Sequence, residues 1–429
     1  MKTLFTLLAF TFIQISAIAQ HACGSSEYSR AMAQANPTAW ASIQQAENNV
    51  NAILQAQKTG VLRDTTANEL ITIPVVIHVL YNNASQNISD AQIKSQLEAL
   101  NNDFANLNAD KSNRPGAFKN DAADMRIKFC LAQVDPQNAR TTGIIRKYTT
   151  VSQFNADDAM KIASRGGSTA WNTKKYLNIW VCPMNVRTLG YATSPGSAVE
   201  LDGVVIGFDV FGTTGTLRAP FNKGRTATHE VGHWMGLKHL WGDTDCGDDG
   251  IDDTPRQKSY NFGCPSFPRV TTCSETANGD MFMNFMDFTD DACMNMFTKG
   301  QKQKMRAFFA QNGARNGFLT AFGCDSNLVQ GSTIPTVVPV VDTPAVVTPK
   351  NVVKIYPNPV INQLTVDSKN ANATTPQTVK IFDVTGNCVF TSVLTQTTTN
   401  LSVSQLKAGI YIIRVIDGKE ATANKFIKK

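Results

Sequence analysis

Three histidines lie within eleven consecutive residues, and their spacing restricts what the surrounding chain can fold into. The segment runs from His229 through His233 to His239, with Glu230 directly after the first histidine. Side chains four residues apart share one face of an α-helix, so His229 and His233 reach one ion if this segment is helical. His239 joins them only if the chain then leaves the helix, and Gly236 permits the positive φ that this exit needs. The sequence therefore predicts an active-site helix that ends near a three-histidine zinc site.

The ligand set also indicates what kind of zinc site this is. Three neutral imidazoles leave one tetrahedral position open for water, which is typical of catalytic rather than structural zinc. Glu230 is placed to accept a proton from that water, so we predict that it is the catalytic base. His78 stands alone in an apolar segment, and we interpret it as a structural residue.

The first residues predict export. Lys2 is followed by a mostly apolar stretch and by a small-x-small pattern, Ala17-Ile18-Ala19, which is typical of a signal peptide over residues 1–19. Disulfides persist outside the cytoplasm, and nine cysteines leave at least one thiol outside intrachain pairs. No later stretch is apolar enough for a membrane span, so none is predicted in the mature protein. The net charge of +6 comes without a basic run interleaved with aromatics, so no nucleic-acid partner is predicted.

The hydrophobic pattern predicts an α/β (α+β) domain with helices packed on a twisted sheet. Residues 20–62 are polar, contain a predicted helix at 39–54, and are too poor in large apolar residues to form a core alone. Ser89 caps a predicted helix at 90–107, whose apolar stripe contains Ile93, Leu97, Leu100, Phe104 and Leu107. Strands are predicted at 71–81, 125–134, 176–181 and 201–208.

A composition change separates a second domain. Residues 325–350 are rich in Pro, Thr and Val, which favours an extended linker. Residues 351–429 contain short alternating apolar segments separated by turn signals, which predict an all-β sandwich.

The pattern His-Glu-x-x-His-x-x-Gly-x-x-His is the metzincin signature, and it predicts a methionine turn downstream. Met286, within Asn284-Phe285-Met286-Asp287-Phe288, fits that turn, although a lone methionine is also common core filler. Together with Asp290, Asp291 and Cys293, these residues resemble the pappalysin family of metzincin metallopeptidases, in particular its ulilysin- and mirolysin-like members. The resemblance covers roughly residues 63–324 and implies a two-lobed catalytic domain whose second lobe is irregular.

The resemblance also implies how the second lobe is held. It implies disulfides between Cys246 and Cys273 and between Cys264 and Cys293, whereas spacing alone allows three connectivities for these four thiols. It implies a calcium site in the loop that contains Asp248, Asp249, Asp252 and Thr254, whose oxygen ligands suit calcium. Composition alone leaves a solvated acidic turn as the alternative.

Two further residues bear on substrate and rate. The resemblance implies that Asp291 forms the base of a pocket for Arg or Lys after the scissile bond, where a charge-assisted pair gives discrimination; a surface acid is the alternative. Relatives commonly carry Tyr two residues after the turn methionine, whereas this chain has Phe288. The loss of that hydroxyl is expected to cost about 10²-fold or less in rate.

Cys23 precedes Gly24 shortly after the signal peptide. A thiolate is a good zinc ligand, and the resemblance implies that this one blocks the metal in a latent precursor. The alternative is a disulfide with Cys130, Cys182, Cys324 or Cys388, whose pairing the sequence leaves open. We interpret residues 20–62 as a propeptide, and self-cleavage before Arg63 would be a natural activation step.

Residues 351–429 resemble the C-terminal sorting domain of the type IX secretion system. The matching features include Ile355-Tyr356-Pro357-Asn358-Pro359 and the closing Lys425-Phe426-Ile427-Lys428-Lys429. The resemblance implies passage through the outer membrane by that machinery, followed by release or surface attachment. A carbohydrate- or protein-binding module is the alternative.

These observations predict a secreted or surface-attached zinc endopeptidase, made as a zymogen, that hydrolyses proteins before Arg or Lys. A surface adhesin with a peptidase fold but impaired catalysis is the competing hypothesis, because Phe288 lacks a hydroxyl. A thermolysin-like enzyme would need a downstream Glu as third ligand, and His239 at the metzincin spacing argues against it.

Overall fold

The structure, a computed structural model, describes residues 22–61, 69–321, 324, 353–368, 371, 376–383, 388–417 and 420–429. The predicted signal peptide, the predicted linker and Arg63 lie outside the described residues. The chain divides into two compact units, Met1–Ile334 and Pro335–Lys429, and each is described by itself. Within the described residues, no helix has both the length and the apolar character needed to cross a bilayer.

The first unit is built on a twisted mixed sheet that β2 organises. β2 pairs in parallel with β3, β4 and β5, and β5 continues through β7 and β6 to β1. β6 runs antiparallel to β7, and β1 pairs in parallel with β6. The strands are β1 (Ala22–Cys23), β2 (Ile71–Tyr81), β3 (Ile127–Leu131), β4 (Ile144–Tyr148), β5 (Leu177–Cys182), β6 (Thr188–Ala192) and β7 (Val204–Gly207).

The strand predictions at 71–81, 125–134, 176–181 and 201–208 are confirmed as β2, β3, β5 and β7, with ends that differ by up to three residues. β1, β4 and β6 were not predicted. β4 contains two adjacent charged residues and β6 contains a glycine, and both features weaken the sequence signal of a strand.

Five α-helices surround this sheet: α1 (Ser25–Ala35), α2 (Pro37–Lys58), α3 (Asp90–Phe104), α4 (Arg225–Trp234) and α5 (Lys299–Ala307) in the described residues. The predicted helix at 39–54 lies inside α2, but α1 precedes it and was not predicted. Ser89 caps α3 as predicted, accepting a hydrogen bond from the Gln92 backbone N–H at 3.1 Å. The prediction for Leu107 was wrong, because α3 ends at Phe104, Asn106 has φ +55°, and Leu107 is exposed.

The segment between α4 and α5 has no helix or strand from residue 235 to 298, all of which the structure describes. It nevertheless supplies much of the core, since Met281, Phe285, Met286 and Phe297 are buried with the sheet and α4. This segment is the irregular second lobe that the resemblance implied.

The second unit consists of two antiparallel sheets with the orders β11-β10-β13-β14 and β12-β9-β8. Val366, Val379, Ile381, Leu401 and Phe426 belong to their common buried cluster. The strands are β8 (Val353–Tyr356), β9 (Gln363–Ser368), β10 (Gln377–Phe382), β11 (Cys388–Leu394), β12 (Thr398–Ser402), β13 (Gly409–Asp417) and β14 (Glu420–Lys428). The prediction of an all-β second domain is confirmed.

Candidate metal centre

α4 and the turn after it bring the three histidines together. The helix ends at Trp234, and Gly236 follows with φ +85°. A Cβ at position 236 would lie 2.0 Å from the ring of Phe308, so both the space and the backbone conformation require glycine here. This exit returns His239 toward the face of α4 that carries His229 and His233.

The three imidazoles are arranged as ligands of one ion. His233 Nε2 lies 3.0 Å from His229 Nε2 and 3.0 Å from His239 Nε2, and the remaining pair is 3.3 Å apart. Zinc–nitrogen bonds of about 2.0–2.1 Å at tetrahedral angles place two nitrogens about 3.3 Å apart. The donor set therefore fits a tetrahedral zinc ion.

Each ring is fixed by its other nitrogen. His229 Nδ1 lies 2.7 Å from the Phe285 carbonyl oxygen, and His233 Nδ1 lies 2.8 Å from the Leu237 carbonyl oxygen. A carbonyl only accepts, so Nδ1 carries the proton and Nε2 presents its lone pair to the centre. Burial lowers the pKa of His233 to about 3, so this ring stays neutral, as a metal ligand must be.

His239 is oriented differently because it lies outside the helix. Its Nδ1 is 2.7 Å from Asp243 Oδ1, and its ring stacks on Trp241 with centroids 4.5 Å apart. The hydroxyl of Ser26 donates to Asp243 Oδ2 at 2.7 Å and lies 3.2 Å from His239 Nδ1. A residue of the predicted propeptide thus reaches the support of the third ligand.

Cys23 lies at the same centre. One ligand atom from each of Cys23, His229, His233 and His239 lies within 4.8 Å of the others, and all four residues are buried. β1 and the Gly24 N–H, which donates to the Gly190 carbonyl at 2.8 Å, hold this segment along β6. Burial and the neighbouring Glu230 carboxylate raise the pKa of the Cys23 thiol, so a thiolate at this position requires a cation beside it.

Glu230 is fully buried beside the histidines. Its Oε2 accepts a hydrogen bond from Ser25 Oγ at 2.8 Å, and Ser25 Oγ accepts from the Ala192 N–H at 2.9 Å. Burial raises the pKa of Glu230 to about 7, against the lowering effect of the hydrogen bonds. A carboxyl group with a pKa in this range can both accept and return a proton near neutral pH.

Met286 lies directly under α4. A Cβ at position 232 would lie 2.6 Å from Met286 Sδ, so glycine at this helical position lets the methionine approach the helix. Phe288 follows two residues later, with its ring centroid 4.7 Å from His239 and 5.5 Å from Tyr260. This side of the centre is therefore aromatic.

A pocket next to the centre contains Asp291. His229, Glu230, Cys23 and Leu189 are among its other lining residues. Asp291 is buried, and its Oδ2 accepts backbone N–H groups from Lys223 at 2.7 Å and Arg225 at 3.2 Å.

Burial raises the pKa of Asp291 to about 6, against these two hydrogen bonds. The charge of Arg225 is matched elsewhere, by Asp103 at 2.7 Å and Asp110 at 3.0 Å. Lys223 Nζ also lies 3.8 Å from Asp110, so the side-chain ion pairs of Arg225 and Lys223 use carboxylates other than Asp291.

The acidic side chains of the loop at 248–254 have different partners. Thr254 Oγ1 donates to Asp249 Oδ1 at 2.6 Å, whereas the buried Asp249 Oδ2 has no hydrogen-bond partner among the described residues. The Asp248 side chain accepts from the Gly250 N–H, and Asp252 lies 3.0 Å from Lys58. The structure thus brings Asp249 and Thr254 together and directs the Asp248 and Asp252 side chains elsewhere.

The cysteines form three disulfides in the described part of the chain. Cys246 pairs with Cys273 and Cys264 with Cys293, in the connectivity that the resemblance implied. The third joins Cys130 to Cys324. Cys23 and Cys182 are free and buried.

Sequence reasoning missed Ser25, Ser26 and Asp243. The two serines directly follow Cys23-Gly24, and Asp243 follows His239 by four residues. The available signal was that these residues are close in sequence to predicted ligands, but closeness in sequence does not show which neighbouring side chain contacts the site. His78 is structural as interpreted: it is buried between Ser168 Oγ and Asn178 Oδ1.

Comparison with known proteins decides the family. Residues 163–310 match the family described as pregnancy-associated plasma protein-A, that is, the pappalysins. An extracellular metalloprotease of Pyricularia oryzae is 32% identical over 318 residues, which cover 72% of this chain and 95% of the relative. The chain belongs to the pappalysin family of metalloproteases.

Solved structures agree with this assignment. This pappalysin is similar to Tannerella forsythia mature mirolysin in complex with a cleaved peptide, with 49% identity, a TM-score of 0.59, and coverage of 62% of this chain and all of the other. A promirolysin mutant from the same organism is 44% identical, with a TM-score of 0.65 and coverage of 73% of this chain and all of the other. The three-histidine centre fits the zinc that the family implies.

The second unit is also recognised. Residues 354–429 match the secretion system C-terminal sorting domain, the tail of type IX substrates. Together with the extracellular relatives, this match indicates that the pappalysin is a secreted or cell-surface metallopeptidase that uses the type IX machinery.

Proposed function

We propose that this pappalysin is a latent zinc endopeptidase that cleaves proteins before Arg or Lys. One observation carries the proposal: three inward-facing Nε2 atoms lie 3.0–3.3 Å apart, and a cysteine from the N-terminal segment reaches the same centre. The first part supports a metal site with one open position, and the second supports a precursor in which Cys23 fills that position.

The residues of the centre have distinct roles in this proposal. His229, His233 and His239 would hold zinc, which supplies Lewis-acid chemistry that polarises a carbonyl and acidifies water. Glu230 takes a proton from water and passes it to the leaving amine, for which its raised pKa is suited. Met286 supports α4 from below.

The N-terminal segment supplies latency. Cys23 takes the position that substrate and water need, while Ser25 holds the Glu230 carboxylate at 2.8 Å. We propose that residues 20–62 are the propeptide and that cleavage before Arg63 releases it. A Cys23→Ala precursor should show peptidase activity before processing, and a mutant precursor as silent as the parent would reject the thiol block.

Asp291 would bind the basic side chain after the scissile bond. It is buried beside Glu230 and His229 in the same pocket. Because the side chains of Arg225 and Lys223 pair with other carboxylates, the buried Asp291 carboxylate supports a preference for Arg and Lys over apolar residues.

Calcium would bind in the loop at 248–254. Asp249 Oδ2 supports this site, because a buried carboxylate oxygen without a hydrogen-bond partner among the described residues is costly unless a cation binds it. Burial raises the pKa of Asp249 to about 6, so a bound cation would stabilise its charged form. Thr254 would contribute its side chain, and Asp248 and Asp252 their backbone oxygens.

We propose the domain boundaries that the sequence predicts: a signal peptide at 1–19, a catalytic domain at 63–324, a linker at 325–350 and a sorting domain at 351–429. The division between the compact units falls after Ile334, within the proposed linker. A catalytically impaired adhesin remains the alternative function, and Phe288 is the observation that favours it.

A peptide library separates the two functions. We expect the processed protein to cleave before Arg and Lys, and Glu230→Ala to lower kcat/KM by about 10³-fold or more, because general acid–base catalysis is lost. Zinc content should stay unchanged, since Glu230 is not a ligand. Equal cleavage by both proteins would reject Glu230 as the base, and no cleavage by either would favour the adhesin.

A further inference from the structure

Tyr28, on the first turn of α1, fills a pocket in the sheet-bearing unit. Its ring lies 4.9 Å from the ring of Tyr191 and 5.6 Å from Lys161 Nζ, measured to the centroid. Its hydroxyl donates to Asp158 Oδ2 at 2.8 Å. Only 6% of Tyr28 is exposed, so the pocket encloses the whole side chain. We call Asp158, Lys161, Trp180 and Tyr191 the phenol pocket.

The polar groups of the phenol pocket are matched to a neutral hydroxyl. Lys161 Nζ and Tyr191 Oη both bond Asp158 Oδ1, at 2.8 Å and 2.9 Å. Among the described residues, Asp158 Oδ2 is bonded by Tyr28. When Tyr28 leaves, Asp158 Oδ2 therefore loses its donor, while Lys161 and Tyr191 still bond Asp158 Oδ1.

The charge of the phenol pocket selects among possible guests. Lys161 is fully buried and already balances Asp158, so a guest ammonium or guanidinium would bring a second cation into a desolvated site. A phenylalanine ring would fill the space but leave Oδ2 without a donor, which is costly in a buried site. A phenol satisfies both the aromatic walls and the free oxygen.

Strand β6 connects the two pockets, since it supplies Leu189 to the Asp291 pocket and Tyr191 to the phenol pocket. The Asp291 pocket includes Leu189, near the start of β6. Ser25 binds the N–H of Ala192, at the end of β6, while its hydroxyl reaches Glu230. Tyr28 is one turn further along α1, about 5 Å of helix rise. A substrate with its basic residue at Asp291 would therefore pass the phenol pocket with residues that precede the scissile bond.

We propose that, after the propeptide leaves, the phenol pocket binds a tyrosine side chain of the substrate on the amino-terminal side of the scissile bond. This inference rests on the proposed function, since it assumes that the processed protein cleaves peptides. It assigns specificity to residues that no zinc, calcium or basic-residue site uses.

Kinetics on matched peptides test the inference. The processed protein is given peptides with Arg after the scissile bond and Ala before it, with a single Tyr or Phe moved through the five preceding positions. At one position we expect Tyr to exceed Phe about tenfold in kcat/KM, mainly through KM, because a hydrogen bond to a charged group is lost with Phe. Equal values for Tyr, Phe and Ala at every position would overturn the phenol pocket.

Two variants sharpen the test. Asp158→Asn removes the charged acceptor and should reduce the Tyr preference to about twofold or less. The adjacent Asp157, paired with Arg165 at the surface, offers a matched control, and Asp157→Asn should keep both the preference and the rate on the all-Ala peptide.

If Asp158→Asn does not fold, the comparison of Tyr with Phe on the unaltered protein still decides. A preference that survives in folded Asp158→Asn would overturn the assignment to this pocket. Failure to cleave even the all-Ala peptide would reject the proposed function, and this inference with it.

Discussion

The two halves of the metal centre are built in different ways. His229, Glu230 and His233 lie on α4, where backbone periodicity and burial against the sheet fix them. His239, Met286 and Asp291 lie in residues 235–298, which form no helix or strand. In that segment, disulfides, buried side-chain hydrogen bonds and close packing replace the regular backbone hydrogen bonds of helices and strands. The comparison shows that regular structure can be lost on one side of an active site if other constraints replace it.

The largest expected effect comes from removing one of those constraints. The Cys246→Ser/Cys273→Ser variant opens a loop with a sequence separation of 27 and should lower the free energy of unfolding by about 2–4 kcal/mol. Urea unfolding followed by tryptophan fluorescence measures this, because all five tryptophans lie in the first unit. An unchanged unfolding free energy would mean that packing alone holds the irregular half.

A smaller effect is expected where the two halves touch. Gly232→Ala places a methyl group 2.6 Å from Met286 Sδ and should cost about 1–3 kcal/mol through overpacking. The same unfolding measurement checks it. At Gly116, a Cβ would meet nothing within 4 Å, so Gly116→Ala is the matched control and should change stability by about 0.5 kcal/mol or less. Equal effects from the two substitutions would contradict the close approach of Met286.

The smallest effect concerns the ligand outside the helix. Asp243→Asn replaces the carboxylate that orients His239 and should weaken zinc binding about tenfold, since groups that orient metal ligands have effects of this order. Competition with a chelator on the processed protein measures the affinity. Asp245 is exposed two residues later, and Asp245→Asn should leave the affinity unchanged. If both variants bind zinc equally well, the stacked Trp241 suffices to orient the ring.

Sequence patterns predicted the regular half better than the irregular one. The spacing of His229 and His233, the cap at Ser89 and the apolar run of β2 are local, so periodicity reveals them. The resemblance located Met286 and Asp291, but their contacts join residues more than fifty positions apart, which no local pattern encodes. The prediction for Leu107 was wrong for a local reason. Asn106 has a left-handed backbone conformation, so the helix ends before the apolar stripe reaches Leu107.

The same distinction explains the missed contacts of the N-terminal segment. The helix at 39–54 was visible as a pattern, whereas Tyr28 and Ser25 gain their partners only across the tertiary structure. Asp158, the partner of Tyr28, is 130 positions away. Polar groups that pair over such distances leave no periodic trace in the sequence.

Side-chain contacts, and not only the backbone that follows it, hold the long helix α2 against the rest of the first unit. Glu47 bonds Lys304 at 2.9 Å, and Val50 is fully buried in a cluster with Phe308. Cutting the chain after α2 breaks one covalent connection and leaves these contacts intact. Under the proposed latency, cleavage of the chain and release of the fragment are therefore separate events. We expect a protein cut after α2 to stay inactive until dilution or further digestion removes the fragment.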